Sequence, residues 1–265
     1  MKIIKEYLSL TDFSHIVFGN EKITLDETVT NRVKESYLFL ENFSKNKVIY
    51  GVNTGFGPMA QYRIEESDQI QLQYNLIRSH SSGMGKPLHP LFVKATILAR
   101  LNTLALGKSG VNQSVIDLMK ELINRDITPL IFSHGGVGAS GDLVQLAHLA
   151  LVLIGEGEVF YKGERQSTKE VFEQENLQPI TIKIREGLAL MNGTSVMTGI
   201  GIVNALQVDK LIKHSITLSS IINEIVQAYD DHLSEPLNHA KLHKGQHWVA
   251  QQMRMHLEDS QLIRN

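Results

Sequence analysis

His134-Gly135-Gly136-Val137-Gly138-Ala139-Ser140-Gly141-Asp142 joins the apolar run Leu130-Ile131-Phe132 to a helix-forming segment that begins near Leu143. The stretch admits several readings. It contains Gly136-x-Gly138-x-x-Gly141, the spacing of a dinucleotide fingerprint, and Glu158 lies near the distance of a ribose-binding acid. That motif belongs among alternating strands and helices, whereas the sequence before it is almost wholly helical in pattern. Ser140 does not sit in a hydrolase elbow, because Asp142 occupies the place of the second glycine. A plain Gly-rich turn that caps the next helix is the structural reading. A further chemistry uses the same residues. In a tightly bent loop the amide nitrogen of Gly141 attacks the carbonyl carbon of Ala139, unobstructed by a Cβ. Loss of water closes an imidazolone, and departure of the Ser140 hydroxyl leaves an exocyclic methylidene. The positive end of the following helix would raise the electron demand of that ring.

Outside this loop the chain reads as an ordinary globular one. It has 265 residues, 42% of them hydrophobic and 20% charged, which suits one large domain or two smaller ones. A formal net charge of −2 gives no general attraction to nucleic acid or to an anionic membrane. The absence of cysteine excludes a disulfide framework, a thiolate nucleophile and a Cys-ligated metal. Met1-Lys2-Ile3-Ile4-Lys5-Glu6 lacks the pattern of a signal peptide, and Leu146 to Ile154 is too short an apolar run to span a bilayer. These features predict a cytoplasmic protein that engages neither membrane nor nucleic acid.

Helical periodicity dominates, so the fold class is mainly α. Thr24-Leu25-Asp26-Glu27 reads as a capping box, followed by the stripe Val29, Val33, Tyr37 and Leu40. Val48-Ile49-Tyr50 reads as a short strand leading into Gly51-Val52-Asn53-Thr54-Gly55-Phe56-Gly57-Pro58. Helices are expected from about Glu66 to Ser82, from Pro90 to Gly107, from Ser114 to Arg125 and from Leu143 to Ile154 with Gly155 as its stop. The second of these is apolar on most faces and must be buried on several sides. Glu158 to Glu164 predicts a hairpin, Thr194 to about Tyr229 one long helix, and Gln246 to Glu258 a last one. Gly199 and Gly201 are placed to permit close helix approach. His239-x-x-x-His243-x-x-x-His247 has the spacing of metal-binding histidines on a helix face, but Gly245 interrupts the helix and no acid completes the set, so a solvated segment is expected and no metal.

Ala139-Ser140-Gly141-Asp142-Leu143 resembles the signature of the histidine, phenylalanine and tyrosine ammonia-lyases and their related aminomutases. Three further segments carry the same resemblance: Tyr50-Gly51-Val52-Asn53-Thr54-Gly55-Phe56-Gly57, Asn75-Leu76-x-x-Ser79-His80-Ser81-Ser82-Gly83, and Glu186-Gly187-Leu188-Ala189-Leu190-x-Asn192-Gly193-Thr194. The likeness runs along the whole chain and is nearest to bacterial tyrosine ammonia-lyases. It implies a carbon–nitrogen lyase acting on a small aromatic amino acid, tyrosine or histidine. The implied cofactor is a 4-methylidene-imidazol-5-one formed autocatalytically from Ala139, Ser140 and Gly141, with no metal or nucleotide. By matching positions, Tyr50 resembles the tyrosine that handles the substrate proton and gates the site, and Asn192 the asparagine that contacts ring and amino acid. His80 resembles the residue that meets the far end of the substrate, Leu143 lies near the side-chain pocket, and Asp142 supports the loop or caps a helix. The implied reaction is β-elimination: the ring engages the substrate amine or aryl group, Tyr50 removes a β-proton, and ammonia leaves an aryl acrylate.

The resemblance also implies an architecture. Residues 1–193 form an N-terminal domain that carries the cofactor tripeptide, and residues 194–265 begin a central bundle of long helices, here incomplete. Members of the family are longer and assemble as homotetramers with sites shared between chains. Their second half supplies an arginine for the substrate carboxylate, further tyrosines, and an acid or amide near the amine. A truncated gene, one piece of a split enzyme and a degenerate chain are the three readings, and weak or no turnover is expected from this chain alone. Val144-Gln145 stands where many members have Ala-Pro, a change that removes some preorganisation of the bend without preventing cyclisation. Ser79-His80 is the pair typical of histidine lyases and is shared by the bacterial tyrosine lyases. An imidazole at position 80 bonds a phenol or another imidazole, and the reading leans to tyrosine.

Overall fold

A computed structural model of the chain describes residues 1–45 and 47–264; Asn46, and Asn265 at the end of the expected second domain, lie outside the described residues. The elements in order are β1 (Lys2–Ile4), α1 (Leu10–Val17), β2 (Ile23–Leu25), α2 (Glu27–Phe43), α3 (Glu66–His80), β3 (Met84–Pro87), α4 (Pro90–Leu104), α5 (Gln113–Asn124), β4 (Thr128–Pro129), β5 (Phe132–His134), α6 (Leu143–Leu153), β6 (Glu158–Tyr161), β7 (Glu164–Ser167), α7 (Thr168–Glu175), α8 (Glu186–Met191), α9 (Ser195–Ile225), α10 (Glu235–His239) and α11 (Lys244–Leu257). The class is mainly α, as the periodicity predicts. Two compact units divide the chain, Met1–Val203 and Asn204–Asn265, with the boundary inside α9. Among the described residues no helix is long and apolar enough to cross a membrane.

In the first unit α4 is the central element. Every residue from Val93 to Leu101 is buried, so the helix has no solvent face over that span. Proline at its first turn and His89, whose Nδ1 accepts from Leu91 N at 3.2 Å, fix where it begins. Its interior polar groups each find a partner within reach. Lys94 Nζ donates to Asn20 Oδ1 at 2.7 Å and Asp126 Oδ1 at 2.9 Å, and Thr96 Oγ1 donates to Phe92 O. α5 packs against α4, and α6 packs against α3 and α8; their inner residues Val115, Ile116, Met119, Leu146, Ala147 and Leu149 are almost wholly buried. The start of α9 approaches α4 closely, since a Cβ on Gly199 would come within 2.6 Å of Thr96 N; Gly201 meets nothing. The close approach expected of that pair therefore belongs to Gly199.

Strands are few and short. β1 pairs in parallel with β2, β3 antiparallel with β5, and β6 with both β4 and β7 as a three-stranded sheet that contains the expected hairpin. No alternating strand–helix unit surrounds the Gly-rich loop among the described residues. Glu158 forms an ion pair with Arg165 on the hairpin, so the dinucleotide reading has neither its sheet nor its acid.

Several local expectations are corrected. Thr24 lies in β2, and the cap of α2 is Asp26, whose carboxylate accepts from Thr28 N at 3.0 Å. Because β2 takes up Thr24, the helix begins two residues later than the capping-box pattern predicts. Val48-Ile49-Tyr50 forms no strand. Asn53 bonds Ile49 N and Lys47 O through its side chain and so closes a loop that leaves no edge for pairing. Gly245 does not interrupt a helix; it lies in the first turn of α11, where the cost of glycine is small. In the second unit Ile216, Leu233 and Met253 form a small core with Val249 and Leu257. The His239 and His247 rings lie tilted at 31° with centroids 4.4 Å apart, and each ring bonds a main-chain carbonyl, Glu235 O and Lys241 O respectively.

Candidate active site

The Gly-rich loop leaves β5 and reaches α6 through three glycines in the left-handed region, Gly135, Gly138 and Gly141. Ala139 and Ser140 are exposed. Gly141 is tied down: it forms an isolated parallel bridge with Gly193, and Asp142 N donates to Gly193 O at 2.7 Å. At φ +86° Gly141 adopts a conformation unfavourable for any side chain, and a Cβ there would fall on the Gly193 carbonyl oxygen. Asp142 then serves a different helix from the one it precedes. Its side chain makes no cap bond to α6; Oδ2 accepts from Val196 N and Met197 N, both at 2.9 Å, and so caps α9. The starts of α6 and α9 thus meet at the residue that follows the tripeptide.

Asn192 closes α8, and the turn Asn192-Gly193 is held from beneath by Arg100 of α4. The guanidinium donates to Ala189 O and to Asn192 O, the latter at 3.0 Å. A Cβ on Gly193 would meet Arg100, so the turn can lie flat on the cation only because that residue is glycine. Arg100 is 4% exposed, and its Nε has no hydrogen-bond partner among the described residues. Burial pulls its pKa down to about 10, against the opposing effect of the Asp142 carboxylate, and the group stays cationic at neutral pH.

Tyr50 stands on the loop that Asn53 organises, half-exposed and edge-on to Phe56, with its hydroxyl accepting from Gly57 N at 3.2 Å. Gly51 beside it packs against Leu188 of α8, and Gln73 bridges the two segments, donating to Gly51 O and accepting from Leu188 N. Tyr50 and Asn192 consequently line one cleft of about 490 Å³, together with Arg100, Lys108, Arg185 and Leu188.

His80 ends α3, half-buried, and does not line that cleft. Its Nδ1 lies 2.9 Å from Leu76 O and 3.1 Å from Ser79 Oγ, which leaves Nε2 without a partner among the described residues. The segment after His80 is fastened to the Gly-rich loop. Met84 pairs with His134 across β3 and β5, and Gly83 N donates to His148 Nε2 at 3.1 Å. His148, on α6, stacks edge-on with Phe132, and burial lowers its pKa from the ordinary imidazole value of 6.5. Leu143 opens α6, half-buried. The structure therefore brings Gly141 beside Gly193, sets Tyr50 and Asn192 in one cleft, and links His80 to the loop through a strand pair. Arg100, Gln73 and His148 were missed in the sequence. A charged residue inside the apolar run Thr96 to Leu101 was the available signal for Arg100.

Among the described residues no group of three or more His, Asp or Glu side chains is arranged to hold a metal.

A family profile described as aromatic amino acid lyase matches residues 8–265. Among curated relatives, the histidine ammonia-lyase of Halalkalibacterium halodurans is 39% identical over 256 residues, which are 96% of this chain and 50% of that protein. The histidine ammonia-lyase of Bacillus subtilis is 38% identical over the same shares. Among solved structures, Pantoea agglomerans phenylalanine aminomutase superposes with a TM-score of 0.93 at 32% identity, covering 100% of this chain and 52% of that one. Histidine ammonia-lyase from Trypanosoma cruzi gives 0.87 at 27% identity, with 96% and 50% covered. The chain spans about half the length of the curated relatives it matches.

Proposed function

We propose that this chain, which belongs to the aromatic amino acid lyase family, supplies the electrophile-bearing part of an ammonia-lyase. One arrangement carries the reading: Gly141 is held against Gly193 in a conformation and a space that admit only glycine. Its amide nitrogen is thereby kept in a turn beside the exposed Ala139 and Ser140, free of a Cβ that would block attack on the Ala139 carbonyl carbon. The residues present fit the cyclised group. Closure forms the N–C bond and expels the carbonyl oxygen as water, and a second water takes the Ser140 hydroxyl with its Cα hydrogen.

When formed, the 4-methylidene-imidazol-5-one supplies an electrophilic carbon that draws electron density from the substrate and makes the amino group a better leaving group. The remaining work falls to side chains. Asn192, fixed by the Arg100 grip on its carbonyl, offers an amide beside the ring. Tyr50, on its separate loop, takes the β-proton as general base. His80 meets the far end of the substrate through its imidazole, and Leu143 adds apolar surface near it. Residues 1–193 hold all of these groups, and residues 194–265 begin a helical bundle through which chains assemble, as a homotetramer.

The substrate is an aromatic amino acid, and histidine is the first candidate. The sequence leans to tyrosine, but the relatives quoted above are histidine ammonia-lyases, and Ser79-His80 accords with them. The expected location is the cytoplasm. Intact mass spectrometry tests the electrophile: the chain is expected to be lighter than its sequence by two waters, and Ser140→Ala to have its full sequence mass. A parent chain at full sequence mass would refute the reading. Incubation with histidine, tyrosine and phenylalanine assigns the substrate, with urocanate as the expected product; preferential release of p-coumarate would restore tyrosine.

A further inference from the structure

The turn that holds the tripeptide rests on a buried cation. Arg100 is 4% exposed and is the one charged residue in the run from Thr96 to Leu101. The arginine ion pairs among the described residues involve Arg78, Arg125 and Arg165, so no carboxylate pairs with it there. Its Nη2 donates to Ala189 O and to Asn192 O, and its Nε has no partner among the described residues. A buried charge with an incomplete set of partners costs stability, and an apolar side chain of similar volume is often tolerated better. Part of its use is local, because both carbonyls lie at the C-terminal end of α8, where a helix leaves such groups open. A second use follows from what Gly193 carries.

The guanidinium fixes the Asn192–Gly193 peptide, and Gly193 lies so close to it that a Cβ there would overlap Nη1. Gly193 in turn bridges Gly141, and its carbonyl accepts from Asp142 N at 2.7 Å. Two contacts therefore lead from the cation to the C-terminal end of the tripeptide. The hold stops there. The Gly141 N–H has no hydrogen-bond partner among the described residues. Gly138, Ala139 and Ser140 are exposed, and a Cβ on Gly138 would meet nothing. The loop is thus fixed where the attacking nitrogen sits and loose where the carbonyl must swing to it. Ring closure requires that asymmetry, since a reacting pair gains most when one partner is already held in place.

We propose that Arg100 is a positioning residue for cyclisation: through Gly193 it keeps the Gly141 nitrogen still for attack on the Ala139 carbonyl carbon. It touches neither reacting atom. Closure forms the bond from Gly141 N to Ala139 C and a double bond from that carbon to Ser140 N. The Ala139 oxygen leaves as water with the hydrogens of those two nitrogens, and the Ser140 hydroxyl then leaves with its Cα hydrogen as a second water. The assignment rests on the ring-forming reading of the chain.

The test follows the intact mass of the full chain at fixed times after expression begins, in the parent, Arg100→Met, Arg100→Lys and Lys94→Met. Lys94 is the control: it is a cation as buried as Arg100 on the same helix, but it bonds Asn20 and Asp126 and not the turn. The parent is expected to become two waters lighter. Arg100→Met is expected to do so about a hundredfold more slowly, the size of effect seen when a reacting group is displaced by about 1 Å. Arg100→Lys should recover part of the rate, and Lys94→Met should convert like the parent. Thermal melts report whether each variant folds, and a general loss of stability would slow Lys94→Met as well. If Arg100→Met does not fold, Arg100→Lys carries the comparison, because an ammonium cannot hold both carbonyls in the geometry of the guanidinium. Conversion at the parent's rate in the folded Arg100 variant, or equal slowing in Lys94→Met, would overturn the assignment alone. A parent chain that keeps its full sequence mass would overturn the ring-forming reading, and this assignment with it.

Discussion

At the scale of single residues the site is organised by groups that stand one step away from the expected chemistry. Ala139, Ser140, Gly141 and Asn192 stand out in the sequence through the resemblance of their motifs to those of the ammonia-lyases; residue type and spacing alone give a Gly-rich loop and an Asn-Gly turn. Arg100 was not legible, because its function depends on two carbonyls 89 and 92 residues later in the chain. Asp142 was legible as a cap but not as the cap of α9, since its partners Val196 and Met197 are 54 and 55 residues away. Its two roles are separable. The backbone N–H holds Gly193, and the carboxylate holds the first turn of α9. Asp142→Ala should therefore cost about 1–2 kcal/mol, as for loss of a good helix cap, whereas Asp142→Asn retains an acceptor and should cost far less. Urea denaturation of the three proteins checks this order. Equal losses for alanine and asparagine would show that the charge, acting with Arg100, matters more than the cap.

Elements were read from the sequence with more success than the joints between them. α3, α4, α5, α6 and α9 fall close to where period and stop signals put them, because one apolar stripe and one capping residue are local properties. The strap from His80 to β5 is not local. Its position depends on the strand pair between Met84 and His134 and on the Gly83 amide meeting His148 of α6, contacts that no spacing rule announces. This joint makes a pH prediction. Burial lowers the pKa of His148, so the folded chain resists a proton that the unfolded chain accepts. The unfolded state then binds more protons, and stability falls as pH drops below the ordinary value of 6.5 and levels off once the lowered folded value is passed. Above 6.5 both states are neutral and the contribution is complete. Guanidinium unfolding at pH 7.5 and pH 5.5 is expected to show a larger acid loss in the parent chain than in His148→Gln, whose amide can still accept from Gly83 N. Equal losses in the two proteins would assign the acid sensitivity to other groups.

For the whole molecule, the second unit presents apolar surface that its own core does not use. Val208, Leu211, Ile212, Leu218, Ile221, Ile222, Ile225 and Val226 are all exposed, while among the described residues α9 contributes Ile216 to the core of that unit. Their spacing recurs at three, four and seven residues, so several share a helix face, and an exposed apolar stripe of this kind marks an interaction surface. The chain spans about half the length of its curated relatives, and the sequence already suggested that this helix belongs to a larger bundle. In a purified sample of these 265 residues, copies of the chain are the partners at hand to bury the stripe. Light scattering after size exclusion should give a mass above that of the monomer at micromolar concentration. Leu218→Lys with Ile222→Lys, two residues four apart and exposed at 60% and 59%, should return it to the monomer without lowering the unfolding midpoint, because neither side chain contributes to the small core. A parent chain that stays monomeric would mean that the stripe is tolerated in water. Association that survives the double substitution would place the contact on another face.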